Sequence, residues 1–228
     1  MTTSGTITFN LDLSEIVEEA FERCGSELRT GYDLRTARRS LNLLFADWAN
    51  RGINMWTIEQ GSIPLVAGTA TYNLPTDTVD LIEHVIRTGA GNVSTQADLT
   101  ISRISVSTYA TIPNKLQQAR PIQLYIDRQI QPTVTVWPVP DNTQPYTLIY
   151  WRLRRIDDAG DGVNTMDVPF RFIPCMVAGL AYYLSLKIPG AMDRMMALKA
   201  QYDEAWDLAS SEDREKAAVR LVPRQYFL

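Results

Sequence analysis

The single histidine of this 228-residue chain, His84, stands beside Glu83 in the alternating segment Leu81-Ile-Glu-His-Val-Ile-Arg87. A histidine–carboxylate pair is general-base apparatus, but no Ser or Cys is placed by motif to be activated by it. The other reading is a strand histidine on a partly solvated face, and it is the one adopted, because histidine is commonly intermediate in burial. Asp157, Asp158 and Asp161 with Gly160 and Gly162 resemble a calcium loop in composition. The later bidentate Glu that such a loop needs is missing, so the segment reads as a solvated linker. Cys24 and Cys175 fall in separate predicted helices with no close Cys or His partner, which argues against a zinc site or a disulfide framework and fits a reducing cytoplasm. No glycine-rich phosphate loop, nucleophile elbow or Cys-x-x-Cys occurs. Catalytic, cofactor-binding and metal-ligating residues are accordingly expected to be none, and the chain is read as a non-enzyme.

Two basic groups, Arg35/Arg38/Arg39 and Arg154/Arg155, are candidates for phosphate contact. With a net charge of −4, pairing with nearby acids on a solvated face is the simpler expectation. Tyr182, Tyr183, Tyr202 and Trp206 can line a ligand pocket or pack in a core or between subunits, and their helical spacing favours packing. Hydrophobic content of 45% with 21% charge suits a globular chain that buries a core without staples. The first residues lack the basic and apolar regions of a signal peptide, and the longest apolar run is broken by Arg171, Pro174 and Lys187, so no membrane segment is expected.

The elements that must carry these residues follow from periodicity. Leu13, Ile16, Val17, Ala20, Phe21 and Cys24 form a helical stripe with Asp12 or Ser14 as start and Gly25 as stop; its outer face is acidic. Asp33 opens a second helix in which Leu34, Ala37, Leu41, Leu44, Phe45 and Trp48 share a face, and Gly52 closes it. Beyond Trp56 the period becomes alternating. Strands are predicted at 58–64, 71–73, 81–87, 122–127, 133–137 and 147–154, with residues 105–109 as a short helix or loop.

Asp167-Val-Pro169 then signals a helix start, with Asp167 as the capping carboxylate, and 170–188 is apolar on nearly every face, as expected of the centre of a bundle. Pro189-Gly190 ends it, and a further helix is predicted from about Met192 to Ala217. The fold class is therefore α+β: a helical bundle formed by the N- and C-terminal regions, an inserted β-sandwich or small β-barrel, and an extended C-terminal arm. The corresponding divisions are 1–56, 57–157, 158–218 and 219–228.

The arm ends on apolar side chains. Pro223 interrupts regular hydrogen bonding, Arg220 and Arg224 offer bidentate donors to carboxylates, and Val222 with Tyr226-Phe227-Leu228 can fill an apolar pocket. It is read as a docking element for another protein, the other reading being a tail packed on its own bundle.

The opening helices, with Ala37-Arg-Arg-Ser-Leu-Asn-Leu-Leu-Phe-Ala-Asp-Trp-Ala-Asn-Arg-Gly-Ile53, resemble those of head-to-tail adaptor (head completion, tail tubular) proteins of short-tailed bacteriophages. Arg171–Leu184, Tyr202-Asp-Glu-Ala-Trp206 and Glu212-Asp-Arg-Glu215 are similar to the closing helices of such proteins, and Lys115, Arg120-Pro121 and Trp137-Pro-Val-Pro-Asp141 resemble a version with a larger β module. The resemblance implies a structural virion protein of the neck or tail, assembled in the host bacterial cytoplasm. It further implies a homo-oligomeric ring, a dodecamer, that docks beneath the portal, extends the DNA channel without sequence-specific DNA binding, and offers a platform to the next tail or nozzle component. The arm would reach into the portal, with Arg220, Val222, Pro223, Arg224, Tyr226, Phe227 and Leu228 as its docking residues. Another tail-proximal connector ring and a virion-associated hydrolase are the alternatives.

Overall fold

The computed structural model describes residues 5–6, 9–28, 31–52 and 55–214, in an α+β fold that divides into a helical unit (1–50 and 157–228) and a β unit (51–156). The arm residues Arg220 to Leu228 lie outside the described residues.

Helix α1 (Leu13–Cys24) begins at a capping box: the Asp12 carboxylate accepts from the Glu15 amide at 2.9 Å and the Glu15 carboxylate accepts from the Asp12 amide at 3.0 Å. Gly25 stops the helix at φ 76°, a conformation open to glycine at little cost. The predicted stripe is buried in full. Helix α2 (Gly31–Arg51) starts two residues ahead of Asp33 and buries Ala37, Ser40, Leu41, Leu44, Phe45 and Trp48. Helix α4 (Ile173–Ser185) is the centre of the unit: ten of its thirteen residues are buried, and it packs against both α1 and α5 (Met195–Glu212).

The start of α4 differs from expectation. Residues 170–172 form a 3₁₀ turn with no side-chain cap, and the α-helix proper begins at Ile173 with Pro174, rather than Pro169, in its first turn. Asp167 does not cap it; its carboxylate accepts from the Asp157 amide at 3.2 Å and so ties down the chain on its return to the bundle. The helix also stops at Ser185, ahead of Pro189. The Pro189 ring would meet the carbonyl of residue 185 in a continued helix, so the last turn tightens, the Lys187 and Ile188 amides both donating to the Leu184 carbonyl at 2.8 and 3.0 Å.

Segment 157–162, predicted to be a solvated linker, exposes the Asp161 side chain, but its backbone and that of the residues after it are anchored. Carbonyls of Asn164 and Gly162 accept from the Leu13 and Ser14 amides at 3.0 and 3.1 Å, satisfying donors that α1 cannot satisfy internally. The Ala159 amide donates to Asn42 Oδ1 at 2.8 Å.

In the β unit two four-stranded sheets share one core. The first runs β1 (Ile58–Leu65), β8 (Tyr146–Arg154), β3 (Thr78–Thr88), β4 (Ala97–Thr100); the second runs β2 (Thr71–Asn73), β7 (Thr133–Trp137), β6 (Gln123–Asp127), β5 (Ser102–Arg103). Both sheets are open, which settles the choice in favour of a sandwich over a closed barrel. Leu81, Ile86, Leu148 and Tyr150 from the first sheet meet Leu124, Ile126, Val134 and Val136 from the second. Short helix α3 (Val106–Ala110) is capped by the Ser105 hydroxyl, as one of the two readings of 105–109 expected. Glycine is required at Gly61, opposite Tyr150 in the β1–β8 register: a Cβ there would lie 2.4 Å from the tyrosine ring, which covers the β1 backbone.

Candidate functional site

Helix α1 turns its acids outward. Glu15, Glu18 and Glu22 recur every three or four residues on its exposed side, while Glu19 pairs with Arg23 at 2.8 Å. Between this face and the start of α4 runs a groove of about 410 Å³, floored by Phe9, Leu11, Ile173, Pro174 and Val177. A second hollow of about 460 Å³ between α4 and α5 shares Arg23 and Pro174 with it and adds Ala178, Ala205 and Leu208. Phe9 and Leu208 are about two-thirds exposed. The result is an acid-rimmed, apolar depression on one side of the bundle. The acidic face was legible in the sequence; its apolar floor was not, because it joins residues some 160 positions apart.

Helix α2 carries the opposite charge. Arg35, Arg38 and Arg39 are exposed, with Tyr32 and Leu43 exposed beside them. Arg38 pairs with Asp161 at 3.1 Å, as the acid-pairing expectation had it. Arg35 and Arg39 form no ion pair among the described residues. Near Arg39 lies Lys187, whose ammonium donates to Ser40 Oγ at 2.7 Å. Burial, and then the positive charge of Arg39, holds its pKa below the ordinary lysine value.

Arg154 belongs to a different arrangement. Period 2 along β8 puts Arg152 on the same face as Tyr150, at the end of the sandwich core, where its guanidinium reaches Asp77 at 2.6 Å, Glu59 at 2.8 Å and Thr78 Oγ1 at 3.0 Å. Glu59 also takes Arg154 Nε at 3.0 Å. The Arg152 hydrogen bond holds Asp77 below the usual carboxylate range, against the effect of burial. These ion pairs tie the end of the sandwich together, although the buried Arg154 Nε makes no hydrogen bond of good geometry. Arg155 is exposed.

His84 is half-buried on β3, opposite Tyr150 of β8. Burial pushes its pKa down, with Glu83 opposing, and Nδ1 is buried without a hydrogen-bond partner. Burial thus disfavours the imidazolium form. Cys24 is buried, its thiol donating to the Ala181 carbonyl at 3.2 Å, and burial pushes its pKa up to about 11. Such a thiol is inert. Cys175 is fully buried as well.

The aromatic residues build core. Trp48 packs against Phe45, Phe172 and Trp206 at ring-centroid distances of 5.8, 5.5 and 5.5 Å, and Tyr182 stacks on Tyr202 at 6.3 Å. Among the described residues no group of three or more His, Cys, Asp or Glu side chains is placed to hold a metal ion, and no helix is long and apolar enough to cross a membrane.

The described residues thus form a helical bundle with charged outer faces, interrupted in sequence by a β-sandwich whose polar clusters are internal ties. The chain belongs to the SU10 adaptor protein family, whose model matches residues 11–224, and is therefore a bacteriophage structural adaptor of the virion. No curated protein matches the chain.

Proposed function

We propose that this chain is a subunit of the head-to-tail adaptor ring of a phage neck. Copies assemble as a homo-oligomeric ring, a dodecamer, beneath the portal, prolong the DNA channel and present a platform to the next tail or nozzle component. The observation that carries this reading is the family match across both helical ends and the β insert together. DNA passes the ring without sequence-specific contacts, in keeping with a net charge of −4.

In this reading the work is divided along the chain. The bundle of 1–56 and 158–218 makes the ring, the insert 57–157 faces neighbouring neck components, and the arm 219–228 docks on the portal through Arg220, Val222, Pro223, Arg224, Tyr226, Phe227 and Leu228. A short arm gains affinity when many copies engage one ring, because each docked copy raises the effective concentration of the rest. In this reading the chain has a structural role without catalysis, as the adaptor family suggests.

Deleting the residues after Ala218 tests the assignment. The truncated chain should melt at nearly the wild-type temperature and fail to co-sediment with portal rings. Wild-type co-sedimentation of the folded, truncated chain would remove the arm from the account.

A further inference from the structure

The bundle presents two unlike surfaces on opposite sides. Pro174, Val177 and Ala178 of α4 line the acid-rimmed depression, whereas Gly179 of α4 lies against Leu44 of α2. At 100° per residue, position 179 points about 150° away from the mean direction of the other three. Helix α2 therefore sits across α4 from the depression, and its outer stripe, Tyr32, Arg35, Arg39 and Leu43 at spacings of three and four, faces away from it.

The two surfaces are complementary in kind. One offers Glu18 and Glu22, which form no ion pair among the described residues, above an apolar floor. The other offers Arg35 and Arg39, likewise without ion pairs among the described residues, flanked by the exposed Tyr32 and Leu43. Surfaces that match each other rather than themselves, on opposite sides of one subunit, are what a head-to-tail contact requires, and such contacts close into rings when the rotation allows. A self-matched dimer would instead need one patch complementary to itself.

We propose that the groove between α1 and α4 is the seat for the outer face of α2 from the next copy of this chain. Glu18 and Glu22 receive Arg35 and Arg39, while Tyr32 and Leu43 cover the apolar floor. The contact rests on the adaptor-ring reading and gives its subunit interface a location and a polarity. Charge pairs at its rim set register and choice of partner, and the exposed Phe9 at the groove, with Tyr32 and Leu43 of the incoming helix, contributes the burial.

Reciprocal charge reversal tests it with the full chain. Glu18→Lys/Glu22→Lys and Arg35→Glu/Arg39→Glu alter exposed positions, so both variants should keep the wild-type circular dichroism. In sedimentation velocity at low salt, where screening is weakest, the wild type should associate. Each variant alone should associate at least tenfold more weakly, and an equimolar mixture should recover the wild-type behaviour, since each variant then offers what the other lacks. A wild type that stays monomeric, variants that associate like wild type, or a mixture that does not recover would each overturn the contact. The same samples are sedimented with portal rings. Attachment of wild type and both variants at equal occupancy would remove the contact and leave the adaptor reading standing; absence of wild-type attachment would instead count against the adaptor reading.

Discussion

The indole N–H of Trp48 in α2 donates to the hydroxyl of Tyr202 in α5 at 3.0 Å, inside a core where both side chains are buried. The bond joins the first quarter of the chain to the last, across the β insert. Tyr202→Phe keeps the ring and leaves the indole donor buried without this acceptor, a loss of about 1–3 kcal/mol. Urea unfolding followed by tryptophan fluorescence should show a lower midpoint with an unchanged slope.

Gly179 is a point of close approach between α4, α2 and α5. A Cβ at this position would lie 2.9 Å from both a Leu44 methyl and the Tyr202 ring, each of them buried. Gly179→Ala should therefore destabilise the protein by about 1–3 kcal/mol despite the better helix propensity of alanine. The double variant Gly179→Ala/Leu44→Ala makes room and should lose less than the sum of the two single changes. Calorimetric melting of the four chains measures the coupling.

His84 gives the stability a pH dependence of known sign. Its folded-state pKa is lowered by burial, so at pH values beneath the unfolded value of about 6.5 the unfolded chain binds the proton more readily. Stability is thus lost as pH falls from about 6.5 toward the folded pKa. His84→Gln should flatten that part of the profile, measured as the urea midpoint between pH 7.5 and 5, and leave phage assembly intact. An identical pH profile in the variant would show that the ring is not held neutral.

Much of this architecture is legible in the residues. Asp12, Glu15 and Gly25 mark both ends of α1 because capping is local chemistry, and six strands announce themselves by alternation because one face of each packs on the core, if only partly buried in β1 and β2. Strand β4 is not among the predicted strands: Ala97–Thr100 is a short edge strand, half-exposed or fully exposed, and the alternation of Ala97 and Leu99 with Asp98 and Thr100 is too short a run to read. Strand β5 has two residues and no period at all. Asp167 looked like a cap because sequence shows a carboxylate before a proline but not the Asp157 amide that competes for it. Arg152 lies on the core face of β8, and its partners come from elsewhere in the fold: the β1–β8 register sets Glu59 opposite it, and Asp77 lies just ahead of β3. The groove has the same origin: the acids of α1 are a local pattern, and Ile173 and Val177 reach them only through folding.

The claim on which the rest depends is that this chain sits on the portal as a ring. Electron microscopy of purified portal rings, imaged alone and after mixing with the purified full-length protein, tests it most directly. The account predicts an added ring of density on one face of the portal, with a continuous central channel and the copies related by rotation. Portal rings indistinguishable from those imaged alone, with the protein left free at saturating concentration, would contradict it.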